Sequence, residues 1–275
     1  IIMNNWFMMY FLSVVLIGTI YPIFLDVLSS QKISVGPPFY HTLIIPFLIP
    51  FLLIMAIGPK LKWIKSNLED KIYLFTILVI SILLSITIVK NFSSNFLINT
   101  ILISSALYLF FITLRDFFSK GFKNLAQNTA HFGFSLLILS ILFNSLFSSE
   151  IITNLKVGQT FENSKAKIVF ESLSQKEGEN YKSIIGNFVV QDSNGKMENL
   201  SPELRIYNQP NITTSEADIK TTLLSDKFIV INLVQNQEFF NVRYQVKPFM
   251  LWIWISVILI SFGGLISFVK KEYEK

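Results

Sequence analysis

Cysteine is absent from the 275 residues, and histidine occurs twice, at His41 and His131. The first absence excludes disulfides, zinc–thiolate sites and a thiol nucleophile. The second leaves His131, His41 or another polypeptide as the source of any imidazole-based metal or redox chemistry. Charge is scarce too: 15% of the residues are Asp, Glu, Lys or Arg, where a soluble domain carries about 25%. There is no Walker loop, dinucleotide fingerprint, HExxH pair or Ser-His-Asp set, so no catalytic residue can be assigned from a motif.

What fills the chain instead is apolar mass, 52% of it, with a mean hydropathy of +0.53. That balance fits a bilayer protein with a water-facing part. A net charge of +5 invites a nucleic-acid partner, but the excess lies in short loops beside apolar runs, where topology rather than nucleic acid explains it. The partner expected from composition is the lipid bilayer, with no nucleic acid. Heavy use of Ile, Phe, Asn and Lys points to an AT-rich genome, as in an organelle or a host-restricted bacterium. No cleavable signal is expected, because the first apolar run is long enough to span and no small-residue cleavage site follows it. The chain opens on Ile rather than Met, as at an unusual start codon or inside a longer frame.

A spanning helix needs about 20 apolar residues. Six stretches qualify: Trp6 to about Leu25, Thr42 to Gly58, Ile72–Val89, Phe96–Leu114, Thr129–Phe147, and Pro248 or Phe249 to about Val269. In the second, Pro46 and Pro50 each remove a backbone donor and predict a kink. Gly36-Pro37-Pro38, just before it, is expected to be non-helical, since Pro38 pushes Pro37 into an extended state. Between the fifth and sixth stretches the chain turns polar. Phe240, Val242, Tyr244 and Val246 alternate with Asn241, Arg243 and Gln245, the period of a half-buried strand. Ile184–Gln191 and Met197–Tyr207 flank Asp192-Ser193-Asn194-Gly195, a hairpin turn, and Phe228–Leu233 reads as a further strand. The acids Glu203, Glu216, Asp218 and Asp226 are expected on a solvated face. The expected fold is a polytopic α-helical membrane protein of about six transmembrane helices with one small extramembrane β domain, a sandwich or open barrel, between the last two. The boundaries are 1–147 for five helices, 148–247 for the β domain and 248–275 for the last helix and a basic tail.

The basic residues set an orientation. Lys60, Lys62, Lys65, Lys71, Arg115, Lys120, Lys123, Lys270, Lys271 and Lys275 fall on one side of such a topology, and Lys32 and Lys90 on the other. The first side is expected to be cytoplasmic or matrix. The β domain and His41 then face the periplasm or intermembrane space, and His131 lies about a membrane thickness from His41, too far to share a metal. An ionisable side chain inside a membrane helix costs about 2–3 kcal/mol even on lenient scales, which makes His131 a functional candidate by default. A neutral imidazole can equally hydrogen-bond to a neighbouring helix or reach the headgroups. A third use is as an axial ligand to haem iron, and the small Ala130 and Gly133 beside it would leave room for a flat cofactor. Leu251-Trp252-Ile253-Trp254 opens the last helix as an interfacial aromatic belt, and Gly263-Gly264 is a place where another helix could approach closely.

A series of blocks, in order, resembles a known family. They are Asn4-Asn5, Gly18-Thr19-Ile20-Tyr21-Pro22, Lys32-Ile33-Ser34-Val35-Gly36-Pro37-Pro38, Gly58-Pro59 with Trp63, and Ala130-His131-Phe132-Gly133. Then come Leu200-Ser201-Pro202-Glu203-Leu204-Arg205-Ile206-Tyr207, Thr214 to Thr222 with Asp226, Lys247-Pro248-Phe249, Trp252-Ile253-Trp254 and Gly263-Gly264. Together they resemble the C-terminal half of CcmF, the haem lyase of cytochrome c maturation. The resemblance implies a subunit of an enzyme that attaches haem covalently to apocytochrome c. It implies a resident haem b held by two membrane histidines, with His131 matching one of them as an axial ligand to the iron. The tryptophan-rich segment and the remaining histidines belong to the family's N-terminal half, so a separate N-terminal CcmF polypeptide would supply them, as in split, organelle-encoded versions. The implied partners are that polypeptide, CcmH-type and CcmE-type proteins and apocytochrome c, and the implied place is the mitochondrial inner membrane, or else a bacterial one. His41 has no counterpart and receives no role. Ala126, often Gly in the family, is expected to tighten packing near the cofactor. Two other functions compete: a structural subunit of a larger inner-membrane assembly without chemistry of its own, and a transporter, which the lack of a polar track or an inverted repeat disfavours.

Overall fold

The computed structural model describes residues 2–29, 33–60, 71–90, 95–119, 124–192, 195–234 and 238–273. Lys32, Lys62, Trp63, Lys65, Asn91, Lys120, Lys123, Ser193, Asn194 and Lys275, which carry part of the charge asymmetry, the turn and the resemblance, lie outside the described residues. Among the described residues six helices are long and apolar enough to cross a membrane: α1 (Ile2–Ser29), α2 (Pro37–Ile57), α3 (Lys71–Lys90), α4 (Phe96–Ser119), α5 (Leu125–Phe147) and α6 (Met250–Tyr273). The protein is a polytopic α-helical membrane protein with a β domain inserted in the chain between α5 and α6. It forms two compact units, Ile1–Leu142 with Ile255–Lys275, and Phe143–Trp254.

The apolar runs mark hydrocarbon depth rather than helix ends, so the helices outlast them. α4 continues past Leu114 to take in Arg115 and Asp116. Pro37 and Pro38 are helical, contrary to expectation. They occupy the first two positions of α2 behind Gly36 as its cap, where a missing N–H leaves no bond unmade and a fixed φ suits the first turn. α2 then runs on through Pro46 and Pro50. In the helical unit α4 is central: 61% of its span is buried, against 11% for α1 and for α6. α2 and α3 pack on α4, and α1 packs on α2. The α1–α2 seam is aromatic, with Phe7, Phe11 and Phe51 meeting at centroid distances of 5.6–6.3 Å.

Among its described residues the β domain has ten strands: β1 (Ser149–Leu155), β2 (Thr160–Glu162), β3 (Ala166–Glu177), β4 (Tyr181–Asp192), β5 (Met197–Leu200), β6 (Glu203–Asn208), β7 (Asn211–Glu216), β8 (Asp218–Thr221), β9 (Ser225–Leu233) and β10 (Phe240–Pro248). They form two sheets, ordered β1-β10-β9-β8 and β2-β3-β4-β6-β7, with β5 also on β4. Every pairing is antiparallel. The stretch expected as one strand over Met197–Tyr207 is two, because Ser201 and Pro202 interrupt it. β5 covers one half of the long β4 and β6 the other, and Gly186 N–H donates to the Pro202 carbonyl between them. The hairpin turn closes as expected at its described ends: Gly195 has φ +79° and donates to the Asp192 carbonyl at 2.9 Å. The alternation of β10 is realised, with Phe240, Val242 and Tyr244 buried beside Ile229, Ile231, Phe170 and Phe188 in one core. Each such side chain contributes about 1.5–3 kcal/mol on leaving water.

Candidate functional site

His131 lies in the second turn of α5, partly buried. It lines two adjoining spaces that share Met55, Pro59 and Gln127. One is a cavity of about 350 Å³ whose lining mixes apolar Met3, Phe51, Ile54 and Met55 with polar Asn4 and Gln127. The other is a pocket of about 40 Å³ where Thr113, Asp116, Asn124 and Asn128 stand beside Ala56 and Ile112, large enough for a water. A metal-ligating imidazole needs open room at one nitrogen and a polar partner for the other, and the two spaces supply these classes of neighbour. The single imidazole beside the apolar part of the larger lining fits a haem edge. The lining of the larger cavity offers the thioethers of Met3 and Met55 but no second imidazole.

The room for a flat group does not come from Ala130 and Gly133, as the sequence led one to expect. A Cβ on Gly133 would stand 2.9 Å from the Ile260 amide nitrogen, and one on Gly263 would stand 2.7 Å from that of Ala130 and 2.8 Å from the Ala126 carbonyl oxygen. Ala126, Ala130 and Gly133 are spaced by four and three residues, one stripe of the helix, and that stripe carries α6. The Ala126 carbonyl lies on that stripe, facing Gly263 of α6. Of the two glycines expected to admit a helix, Gly263 does so and Gly264 has nothing within 4 Å.

The side chains that the sequence did not flag are Lys60 and Asp116. Lys60 Nζ, in the 3-10 turn Gly58–Lys60 after α2, donates to both carboxylate oxygens of Asp116 at 3.0 and 3.1 Å, each side chain being 14% exposed. Asn128 Nδ2 donates to the Asp116 carbonyl at 3.0 Å, and Thr113 and Ser135 share a 2.7 Å hydrogen bond one turn deeper. α2, α4 and α5 are thus tied together beside His131. The signal available was an acid two residues past the apolar run that ends at Leu114. His41 stands in the first turn of α2 and is exposed, whereas His131 meets the other end of that helix at Pro59. At 1.5 Å per residue the separation is about 25 Å, and among the described residues no three His, Cys, Asp or Glu side chains come together as a metal site.

In the β domain three of the four acids expected on a solvated face accept hydrogen bonds from the protein, and the fourth, Asp226, has its Oδ1 buried without a hydrogen-bond partner. Glu203 accepts from Ser183 and Arg205, Asp218 from the Ser201 amide, and Glu216 from Thr214. The buried network lies elsewhere. Lys227 of β9 pairs with Asp192 of β4 at 3.0 Å and Glu198 of β5 at 3.2 Å, bridging the two sheets, and Lys196 reaches Glu198 at 2.9 Å. Burial alone would raise the pKa of Glu198, but the ammonium groups of Lys196 and Lys227 outweigh it and hold it below the ordinary carboxylate value. Burial pushes the nearby Tyr244 phenol up to about 12.

Comparison with known proteins follows the same outline. Residues 146–248 match the family model described as CcmF C-terminal beta-sandwich. Over 98% of its length the chain is 28% identical to a cytochrome c-type biogenesis protein CcmF of Pseudomonas fluorescens, covering 43% of that protein. Over 99% it is 27% identical to CcmF of Escherichia coli (strain K12), again covering 43%. A solved structure titled Cytochrome c Heme Lyase CcmF superposes with a TM-score of 0.72 at 18% identity, over 96% of this chain and 44% of that one. The chain therefore spans less than half the length of the relatives it matches. Six spanning helices in a chain similar to these bacterial proteins support an inner-membrane location.

Proposed function

We propose that this chain, which resembles the C-terminal half of CcmF, is a subunit of a CcmF-type haem lyase and that His131 is one axial ligand of a resident haem b. The observation that carries the proposal is the position of the imidazole on a cavity of about 350 Å³ with apolar Met3, Phe51, Ile54 and Met55 in its lining, beside a smaller pocket that holds Asp116, Asn124 and Asn128. His131 would hold the iron through one ring nitrogen, with the polar groups of α4 and α5 beside it available to the other. The Lys60–Asp116 pair ties the turn after α2 to α4 next to it. A haem b held there would supply one-electron redox chemistry. The second ligand and the tryptophan-rich segment come from a separate N-terminal CcmF polypeptide. CcmE-type and CcmH-type proteins and apocytochrome c are the further partners, and the β domain serves as their docking platform. The place we propose is the mitochondrial inner membrane, with the β domain in the intermembrane space.

The test is a reduced-minus-oxidised absorption spectrum of the purified complex, wild type beside His131→Ala. A b-type band in the wild type that is lost or shifted in the variant is the expected result. A band unchanged by the substitution removes His131 as ligand. No haem in an intact wild-type complex points instead to a structural subunit.

A further inference from the structure

Turns at the edge of a β domain are ordinarily polar. The turn joining β8 to β9 is not. Its base is closed by Thr222 and Ser225, the Thr222 amide and hydroxyl donating to the Ser225 carbonyl at 3.0 and 2.7 Å, and the Ser225 amide donating back to the Thr222 hydroxyl at 3.1 Å. At its tip stand two adjacent leucines, Leu223 at 71% and Leu224 at 69% exposure. Nothing in their own turn requires a large apolar side chain at either position.

What the turn does touch is the start of a membrane span. The Trp252 indole N–H, in the first turn of α6, donates to the Leu223 carbonyl at 2.9 Å, and the Phe249 amide donates to the Leu224 carbonyl at 2.9 Å. Phe249 is the single residue between β10 and α6 and takes a left-handed φ of +61°, so the strand turns directly into the helix without slack. Its ring lies 5.4 Å from that of Phe143 near the end of α5, and Asn144 Nδ2 donates to the Pro248 carbonyl at 2.6 Å. The two leucines are therefore level with residues 249–252, where the apolar span of α6 begins and where tryptophan marks the headgroup boundary. Apolar side chains at such a boundary gain free energy by leaving water for acyl chains and headgroups.

We infer that Leu223 and Leu224 insert into the bilayer interface beside the start of α6, so that the β8–β9 turn is a membrane anchor of the β domain. The occupant of this surface is lipid. The inference rests on the spanning role of α6 and is independent of the haem reading.

The chain has no cysteine, so single-cysteine variants of the full-length protein label at one site. Leu223→Cys and Leu224→Cys replace exposed side chains, and Glu238→Cys is the control. Glu238 is exposed and lies just before β10, at the far end of β9, about 25–30 Å along the strand from the turn. Each variant carries an environment-sensitive fluorophore and is reconstituted with its partner polypeptides in phosphatidylcholine–phosphatidylglycerol vesicles. The expected result is that headgroup-level nitroxide lipid removes most of the emission at positions 223 and 224 and little at 238, while aqueous iodide does the reverse. Iodide quenching at 223 and 224 equal to that at 238 overturns the inference, since the tip is then in water. Shielding of both positions from both quenchers overturns it as well, since protein rather than lipid then covers the tip.

Discussion

Two adjacent glycines in α6 provide a sharp test of how the helical unit is packed. A Cβ at Gly263 would fall 2.7 Å from Ala130 N, 2.8 Å from Ala126 O and 2.8 Å from Ala130 Cβ, whereas one at Gly264 would meet nothing within 4 Å. Ordinary contacts between such atoms are about 3.5–4.0 Å, so Gly263→Ala must push α6 from α5 by roughly 1 Å. Two of the three opposing atoms are backbone and cannot swing away. Overpacking of this kind costs about 1–3 kcal/mol. Replacing glycine by alanine also changes helix propensity by about 1 kcal/mol, but that gain is common to both variants and cancels in their difference. Gly263→Ala should therefore be less stable than Gly264→Ala by about 1–3 kcal/mol, or very roughly 2–12 °C in midpoint by the usual scaling. Thermal unfolding of the full chain in one detergent, with the two variants side by side, measures it. Equal midpoints, or a lower midpoint for Gly264→Ala, would refute the close α5–α6 crossing.

Further expectations concern the charged pairs. Lys227→Met should destabilise the protein by less than the roughly 3–5 kcal/mol of a wholly uncompensated buried charge, since Glu198 loses its cross-sheet partner but keeps Lys196; adding Glu198→Met should recover part of the loss in denaturant unfolding. Glu198 has a folded pKa below its unfolded value, so its contribution is fully present above the ordinary carboxylate pKa and is lost as pH falls through the folded value. Glu198→Gln should accordingly flatten the acid limb of a stability-versus-pH curve, and an unchanged limb would contradict the network. Tyr244 should ionise at about 12, above the ordinary phenol value of about 10, so stability it confers is constant below the unfolded value and lost between the two; a phenolate titration of wild type against Tyr244→Phe reads this directly. For Lys60 and Asp116, a double-mutant cycle with Lys60→Met and Asp116→Asn should give a coupling of about 0.5–3 kcal/mol, and additivity of the two changes would deny the pair any role in joining α2 to α4.

How far the site could be read from the sequence depended on the length scale of each signal. The position of His131 in a spanning helix follows from an unbroken apolar run, which is local. Asp116 escaped notice because the run ends at Leu114, and hydropathy marks the edge of the hydrocarbon rather than the end of the helix. Ala130 and Gly133 were recognised as small, but smallness does not say what occupies the space, and α6 is 120 or more residues distant in sequence. The Leu223–Leu224 tip read as nothing in particular until the hydrogen bonds to Phe249 and Trp252 tied it to the start of a span.

The six spans, the polar insert between the last two, the strand alternation of β10 and the scarcity of metal-binding side chains are legible in the residues alone, because each is written in periodicity or composition over a few to some twenty residues. Folding in three dimensions selects which stripe of α5 carries α6 and which carries the imidazole, which lysine forms the ionic bridge between sheets, namely Lys227, and that Lys60 closes on Asp116. Those are contacts between residues far apart in the chain. They are selected by the burial of whole faces at once, and no window of sequence contains both partners.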